Sequence, residues 1–230
     1  MCGIVGYVGA GTAERDAKNV IIEGLRRLEY RGYDSAGVAV ANNGVIECRK
    51  KAGKVADLEA EIGDNPIPAS NLGIGHTRWA THGGPTDANA HPHVIGGGRM
   101  AVVHNGIIEN FAGLKAELVD KGYSFVSETD TEVAGALLLD IYDNEADGDL
   151  TRAMQLTAQR LEGAFTLLAI HADHPDRIVA ARWNSPLVIG VGEGENFLSS
   201  DVAGFIEFTR DAVEMDNGQI VTLTADGYEV

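Results

Sequence analysis

The 230 residues are 44% hydrophobic and 23% charged, ordinary globular proportions that exclude a disordered or fibrous chain. With 34 acidic and 18 basic residues the net charge is −16, which repels nucleic acid and anionic lipid and removes both as partners. Two cysteines, Cys2 and Cys48, cannot build a disulfide framework and fit a reducing cytoplasm, and the sequence offers neither an apolar run of ~18 residues to span a membrane nor the basic start of a signal peptide.

No repeat, low-complexity tract or Ser/Pro-rich linker divides the sequence, so residues 1–230 read as one domain. Residues 4–8 form an apolar strand, and Ile21, Leu25 and Leu28 follow at helical spacing. Residues 36–41 and 45–49 flank Asn42-Asn43-Gly44, a hairpin signal. Val55, Leu58 and Ile62 mark a short helix and residues 72–77 a strand, after which residues 78–98 are polar and aperiodic, a length of loop that is usually functional. Residues 100–104 and 107–109 are read as a second hairpin turning at Asn105-Gly106. Phe111, Leu114 and Leu118 begin a helix that Gly122 ends. Thr129 or Asp130 caps another, with Val133, Leu137 and Ile141 on one face. Met154 and Leu161 mark a further helix, and residues 164–170, 178–181, 187–191 and 220–224 read as strands. Short turns between many strands predict largely antiparallel sheets with helices packed outside, an α+β arrangement.

Cys2 is the first candidate for chemistry. Removal of the initiator methionine leaves a thiol and an α-amine on one residue, with reference pKa values of ~8.5 and ~7.7–8.0, so a proton passes readily between them. The alternative for Cys2, and the reading kept for Cys48, is a small buried hydrophobe. Asn105-Gly106 is either a turn alone or an oxyanion hole, in which the Asn amide and the Gly N–H point at an oxygen that becomes negative during acyl transfer. The run His76-Thr77-Arg78-Trp79-Ala80-Thr81-His82-Gly83 places a guanidinium, an indole, a hydroxyl and two imidazoles at the mouth of the long loop, and an Arg fork there suits a substrate carboxylate. His76, His82, His91, His93 and His104 raise the possibility of a metal or ligand-binding module. No recognised ligand spacing accompanies them, so hydrogen bonding of the loop is the expected role. Residues 127–132 form a capping segment, and a carboxylate at that helix start also suits a substrate ammonium.

Taken together, residues 1–6, 28–37, 76–83, 89–93, 104–110 and 127–132 resemble the glutamine-hydrolysing domain of the glucosamine-6-phosphate synthase family, the isomerising glutamine–fructose-6-phosphate aminotransferases. Residues 185–190 and 199–201 are also similar. A Cys-Gly-Ile start alone marks only some amidotransferase with an N-terminal nucleophile; Arg31-Gly32-Tyr33-Asp34-Ser35 and residues 76–83 are far more specific. The resemblance implies a four-layer αββα sandwich of the N-terminal-nucleophile hydrolases and hydrolysis of L-glutamine to glutamate and ammonia, without cofactor or metal. Cys2 would be the nucleophile and its amine the proton shuttle, with Asn105 and the Gly106 N–H as oxyanion hole. Arg78 would hold the α-carboxylate with the backbone around Thr81 and His82, and Asp130 the α-ammonium. Trp79 matches a gate on the ammonia route, and Arg31 and His91 take supporting positions. The sugar-phosphate isomerase region that would use the ammonia on fructose 6-phosphate does not follow Val230, so this chain is expected to be the glutaminase half. A phosphoribosyl-pyrophosphate amidotransferase half, whose start is similar, is the alternative acceptor class. Retained Met1 would lock the Cys2 amine in a peptide bond and leave the protein inactive.

Overall fold

The computed structural model describes residues 2–10 and 15–230, so Met1 lies outside the described residues. In chain order β1 (Gly3–Gly9) is followed by α1 (Ala17–Leu28), β2 (Ser35–Asn42), β3 (Val45–Ala52), α2 (Val55–Asp64) and β4 (Leu72–Arg78). Next come β5 (His93–Ile95), β6 (Met100–Ile108) and three helices, α3 (Phe111–Asp120), α4 (Asp130–Asn144) and α5 (Leu150–Arg160). The remainder is strand: β7 (Gly163–His171), β8 (His174–Trp183), β9 (Val188–Val191), β10 (Glu195–Ser199), β11 (Asp211–Glu214), β12 (Ile220–Thr224) and β13 (Gly227–Glu229).

The strands form two sheets, ordered β11-β9-β10-β1-β4-β2-β3 and β13-β12-β8-β7-β6-β5. Side-chain alternation explains why they stack in four layers. On β1, Ile4 and Val8 join a core with Ala101 and Val103 of β6 and Leu168 and Ile170 of β7, between the sheets. The intervening Val5 and Tyr7 turn the other way, onto Ile21, Leu25 and Leu28 of α1. The second sheet repeats the pattern. Met100 and Val102 of β6 and Leu167 and Ala169 of β7 face Leu114 of α3, Leu137 of α4 and Met154 of α5. A strand covered on both faces cannot alternate apolar with polar, which is why β1 reads as the near-continuous run Gly-Ile-Val-Gly-Tyr-Val-Gly. The architecture is therefore the expected αββα sandwich, and every strand ladder among the described residues is antiparallel.

One expected hairpin is absent. β2 and β3 do turn at Asn43-Gly44, with Asn42 opposite Val45, but Asn105-Gly106 is no turn. Residues 100–108 run straight through as β6, each paired in turn with β7, so that Asn105 faces Thr166 and Gly106 faces Phe165. Gly106 has a φ of +127°, and a Cβ there would lie 1.9 Å from the Ala164 carbonyl oxygen. Glycine is thus required by close strand approach rather than by a reversal of direction. The long segment 78–98 also contains β5, three residues pairing with the start of β6. The edge strands β11 and β13 and the interior β10 were not anticipated either.

Candidate active site

The site lies where β1 begins, β4 ends and β6 approaches its own end. Register fixes this: Gly3 opposes Thr77 and Ile4 opposes His76 between β1 and β4. His76 shares its strand face with Leu72 and Ile74, and Asn105 shares its face with Ala101 and Val103, so both point between the sheets. His76 meets Asn105, and Asn105 meets Cys2, at a cleft of about 310 Å³ lined by Cys2, Arg31, Arg78, Trp79, Asn105 and Asp130 among others.

Cys2 Sγ accepts a hydrogen bond from the Trp79 N–H at 3.2 Å and lies 3.6 Å from the Trp79 carbonyl. Burial pushes the thiol above its ordinary pKa, an effect the Trp79 N–H partly offsets. The thiol is therefore protonated at neutral pH and needs a base to become a nucleophile. The Cys2 carbonyl accepts from Asn105 Nδ2 at 2.9 Å and from Arg31 Nε at 3.3 Å. Arg31 also pairs with Asp201 at 3.1 Å, and Asp201 accepts from the Tyr30 hydroxyl at 3.0 Å. The start of β1 is held further by Ser200 Oγ on the Ile4 N–H and Ser199 Oγ on the Ile4 carbonyl. Four side chains, those of Asn105, Arg31, Ser199 and Ser200, thus hold the backbone from Cys2 to Ile4.

The segment Arg31-Gly32-Tyr33-Asp34 explains how Trp79 is placed. Asp34 accepts from the Ala80 N–H, and its own N–H donates to the Arg78 carbonyl at 3.1 Å. A Cβ on Gly32 would lie 2.6 Å from the Arg78 carbonyl carbon, so only glycine lets the two backbones approach this closely. Trp79 is 51% exposed, and its ring meets Tyr33 edge-on, centroids 5.5 Å apart.

Arg78 is buried and lines the cleft, yet its guanidinium also ties down the following loop, donating to the carbonyls of His82, Gly83 and Gly84. Thr81 lines the cleft. The His82 ring is not brought to the lining; it packs edge-on against Phe111, centroids 5.1 Å apart. Asp130 is the first residue of α4, capped by Thr129, and its carboxylate accepts from the Ile108 N–H at 2.9 Å. That bond places a carboxylate at a helix N-terminus on the cleft wall.

Of these histidines, His93 ties the long segment to the start of α4, while His76 and His104 bond outside it. His93 Nε2 meets Thr129 Oγ1 at 2.9 Å and His104 Nδ1 meets Thr131 Oγ1 at 3.0 Å, while His76 reaches His104 and Asn105. The rings of His76, His91 and His93 pack in a row, the first pair tilted and the second edge-on, with centroids 4.3 and 4.9 Å apart. Burial in this row drives their pKa values down, to about 3 for His76. Among the described residues no group of three or more His, Cys, Asp and Glu could hold a metal ion, and no helix is long and apolar enough to cross a membrane. Thr131, Asn184 and Ala164 also line the cleft. Sequence gave no warning of Ala164, which arrives only because β7 pairs with β6.

A half-buried cysteine at the second position, amide and N–H donors beside it and an αββα sandwich define the class II glutamine amidotransferase type of N-terminal-nucleophile enzyme. Residues 76–206 match the profile of the glutamine amidotransferase domain, and the chain belongs to that family. It is 73% identical over 232 residues to the glutamine–fructose-6-phosphate aminotransferase (isomerizing) of Corynebacterium efficiens, covering 100% of this chain and 37% of that one. The enzyme of the same name from Streptomyces coelicolor is 61% identical over 230 residues, covering 100% and 36%. This chain thus spans little more than a third of the length of these relatives. The same fold occurs in glutamine phosphoribosylpyrophosphate amidotransferase from B. subtilis, with a TM-score of 0.81 at 22% identity over 99% of this chain and 48% of that one.

Proposed function

We propose that residues 1–230 are one glutaminase domain that splits L-glutamine into glutamate and ammonia, and that the ammonia aminates fructose 6-phosphate to give glucosamine 6-phosphate on an isomerase region of the same polypeptide. The observation that carries this reading is the Cys2 sulfur inside a cleft whose wall holds Asn105 2.9 Å from the Cys2 carbonyl. The high identity to two named aminotransferases favours fructose 6-phosphate as the acceptor over phosphoribosyl pyrophosphate.

The thiol proton passes to the Cys2 α-amine as sulfur attacks the glutamine side-chain carbonyl carbon. Asn105 Nδ2 uses one hydrogen on the Cys2 carbonyl and has a second to offer the developing oxyanion. The Gly106 N–H is the second donor. As the tetrahedral intermediate collapses the C–N bond breaks and ammonia leaves with the shuttled proton. Water then attacks the thioester, the C–S bond breaks, and a proton returns to sulfur.

Arg78 offers the substrate carboxylate the N–H groups it does not spend on the loop, aided by Thr81 and by the His82 backbone. Asp130 takes the ammonium. Trp79 gates the exit of ammonia, Arg31 holds the Cys2 carbonyl, and His91 supports the wall. A cytoplasmic setting suits a nucleophile that must stay reduced. Treating the protein with an electrophilic ketone analogue of glutamine tests the reading: the expected adduct is on the peptide beginning at Cys2, and an adduct at Cys48 or none would count against it.

A further inference from the structure

The Cys2 carbonyl can only accept, so the Asn105 atom facing it at 2.9 Å must be the NH2. That leaves Oδ1 facing His76 Nε2 at 3.0 Å, and the same nitrogen is 3.0 Å from the His104 carbonyl oxygen. Two acceptors on one nitrogen require that Nε2 carries the hydrogen. His76 Nδ1 has no hydrogen-bond partner, so nothing competes to hold the proton there. Were the Asn105 amide to flip, oxygen would face the Cys2 carbonyl and NH2 would face the His76 N–H, turning both contacts repulsive.

We infer that His76 is the positioning residue of the oxyanion hole: its Nε2–H, shared between the Asn105 side chain and the His104 carbonyl, keeps the Asn105 NH2 aimed at the nucleophile. The inference rests on the oxyanion reading of Asn105. β4 and β6 belong to different sheets, so this bond also sets the spacing of the sandwich at the point where the donor must sit. Burial supports the arrangement by holding the ring neutral, with its pKa down at about 3.

Two measurements test it. In the intact protein, 15N–1H NMR of His76 should find a neutral ring protonated at Nε2 from pH 8 to 5; the Nδ1–H tautomer, or titration near 6.5, overturns the inference. His76→Leu should lower kcat ten- to a hundred-fold, less than the ~10²–10³ of losing a donor outright, with KM for glutamine little changed. His76→Gln, which keeps an N–H near the same point, should recover most of the loss. In an Asn105→Ala background His76→Leu should cost almost nothing further, because the two act as a unit; an undiminished cost there overturns the proposal. If Asn105→Ala itself leaves kcat unaltered, the oxyanion reading fails instead, and the NMR result still decides whether the His76 bond exists. Should His76→Leu not fold, the tautomer and His76→Gln carry the test.

Discussion

Asn105 reaches across 103 positions of sequence to donate its side-chain N–H to the backbone carbonyl of Cys2. The contact joins the two sheets, so Asn105→Asp should do two things at once. It removes the donor and sets a carboxylate against a carbonyl, while still accepting from His76. The expected outcome is a fall in kcat of at least ~10²–10³ together with a lower Tm, read on one preparation. Asp-Gly would serve as well as Asn-Gly in a turn, but Asn105 lies inside β6 opposite Thr166, so the fold feels the substitution too.

Cys2→Ala should abolish ammonia release with little change in Tm, since the sulfur is only half-buried and small. Persistent glutamate formation by the variant would remove Cys2 as nucleophile. Retaining Met1, checked by mass spectrometry, should inactivate almost as fully, because an amide nitrogen is no base.

Arg78→Lys and Asp130→Asn should chiefly raise KM for glutamine, by the ~1.5–3 kcal/mol of a hydrogen bond to a charged group, about ten- to a hundred-fold. The asparagine can still accept from the Ile108 N–H, so its fold should hold. Arg78→Lys should also loosen the carbonyls of residues 82–84, seen as faster amide exchange in that loop. An unchanged KM takes the residue out of the pocket.

Gly106→Ala should destabilise strongly, since the new Cβ meets the Ala164 carbonyl 1.9 Å away and the β6–β7 ladder must open to admit it. Measured Tm should drop by several degrees. A stable variant would mean that the strands separate easily here.

The buried histidines set the acid limit of stability. In the fold His76, His91 and His93 have lowered pKa values, whereas unfolded histidine titrates near ~6.5. The unfolded chain therefore binds more protons, and stability is fully present above about 6.5 and lost as pH falls below it. Each contributes up to ~1.4 kcal/mol per pH unit in that window. Thermal melts from pH 7.5 to 5 should fall steadily; a flat profile down to pH 5 contradicts the neutral histidine row.

The residues gathered at the cleft were easier to read from sequence than the strands that gather them. Asn43-Gly44 and Asn105-Gly106 present the same dipeptide between apolar runs, yet one turns and one continues. What separates them is β7, more than fifty positions downstream, which claims all of residues 100–108; no local signal encodes that. Cys2 was legible from its place behind the initiator methionine, Arg78 from the indole, hydroxyl and imidazoles beside it, and Asp130 as a carboxylate at a helix start. His76 was visible only as one imidazole among five, since its meaning lies in strand parity across two sheets. The edge strands β11 and β13 are short and largely exposed, too weakly patterned to read.

Trp79 holds the Cys2 sulfur through its backbone while its indole stands half in solvent at the cleft. The other tryptophan, Trp183, lines a separate groove with Gln155 and Phe165. With Trp183→Phe as background, Trp79 becomes the sole indole emitter, attached directly to the reactive centre. Its emission wavelength then reports the wetting of the cleft mouth, and a stopped-flow trace would time the arrival of ligand against the making of the covalent bond, with no dye attached.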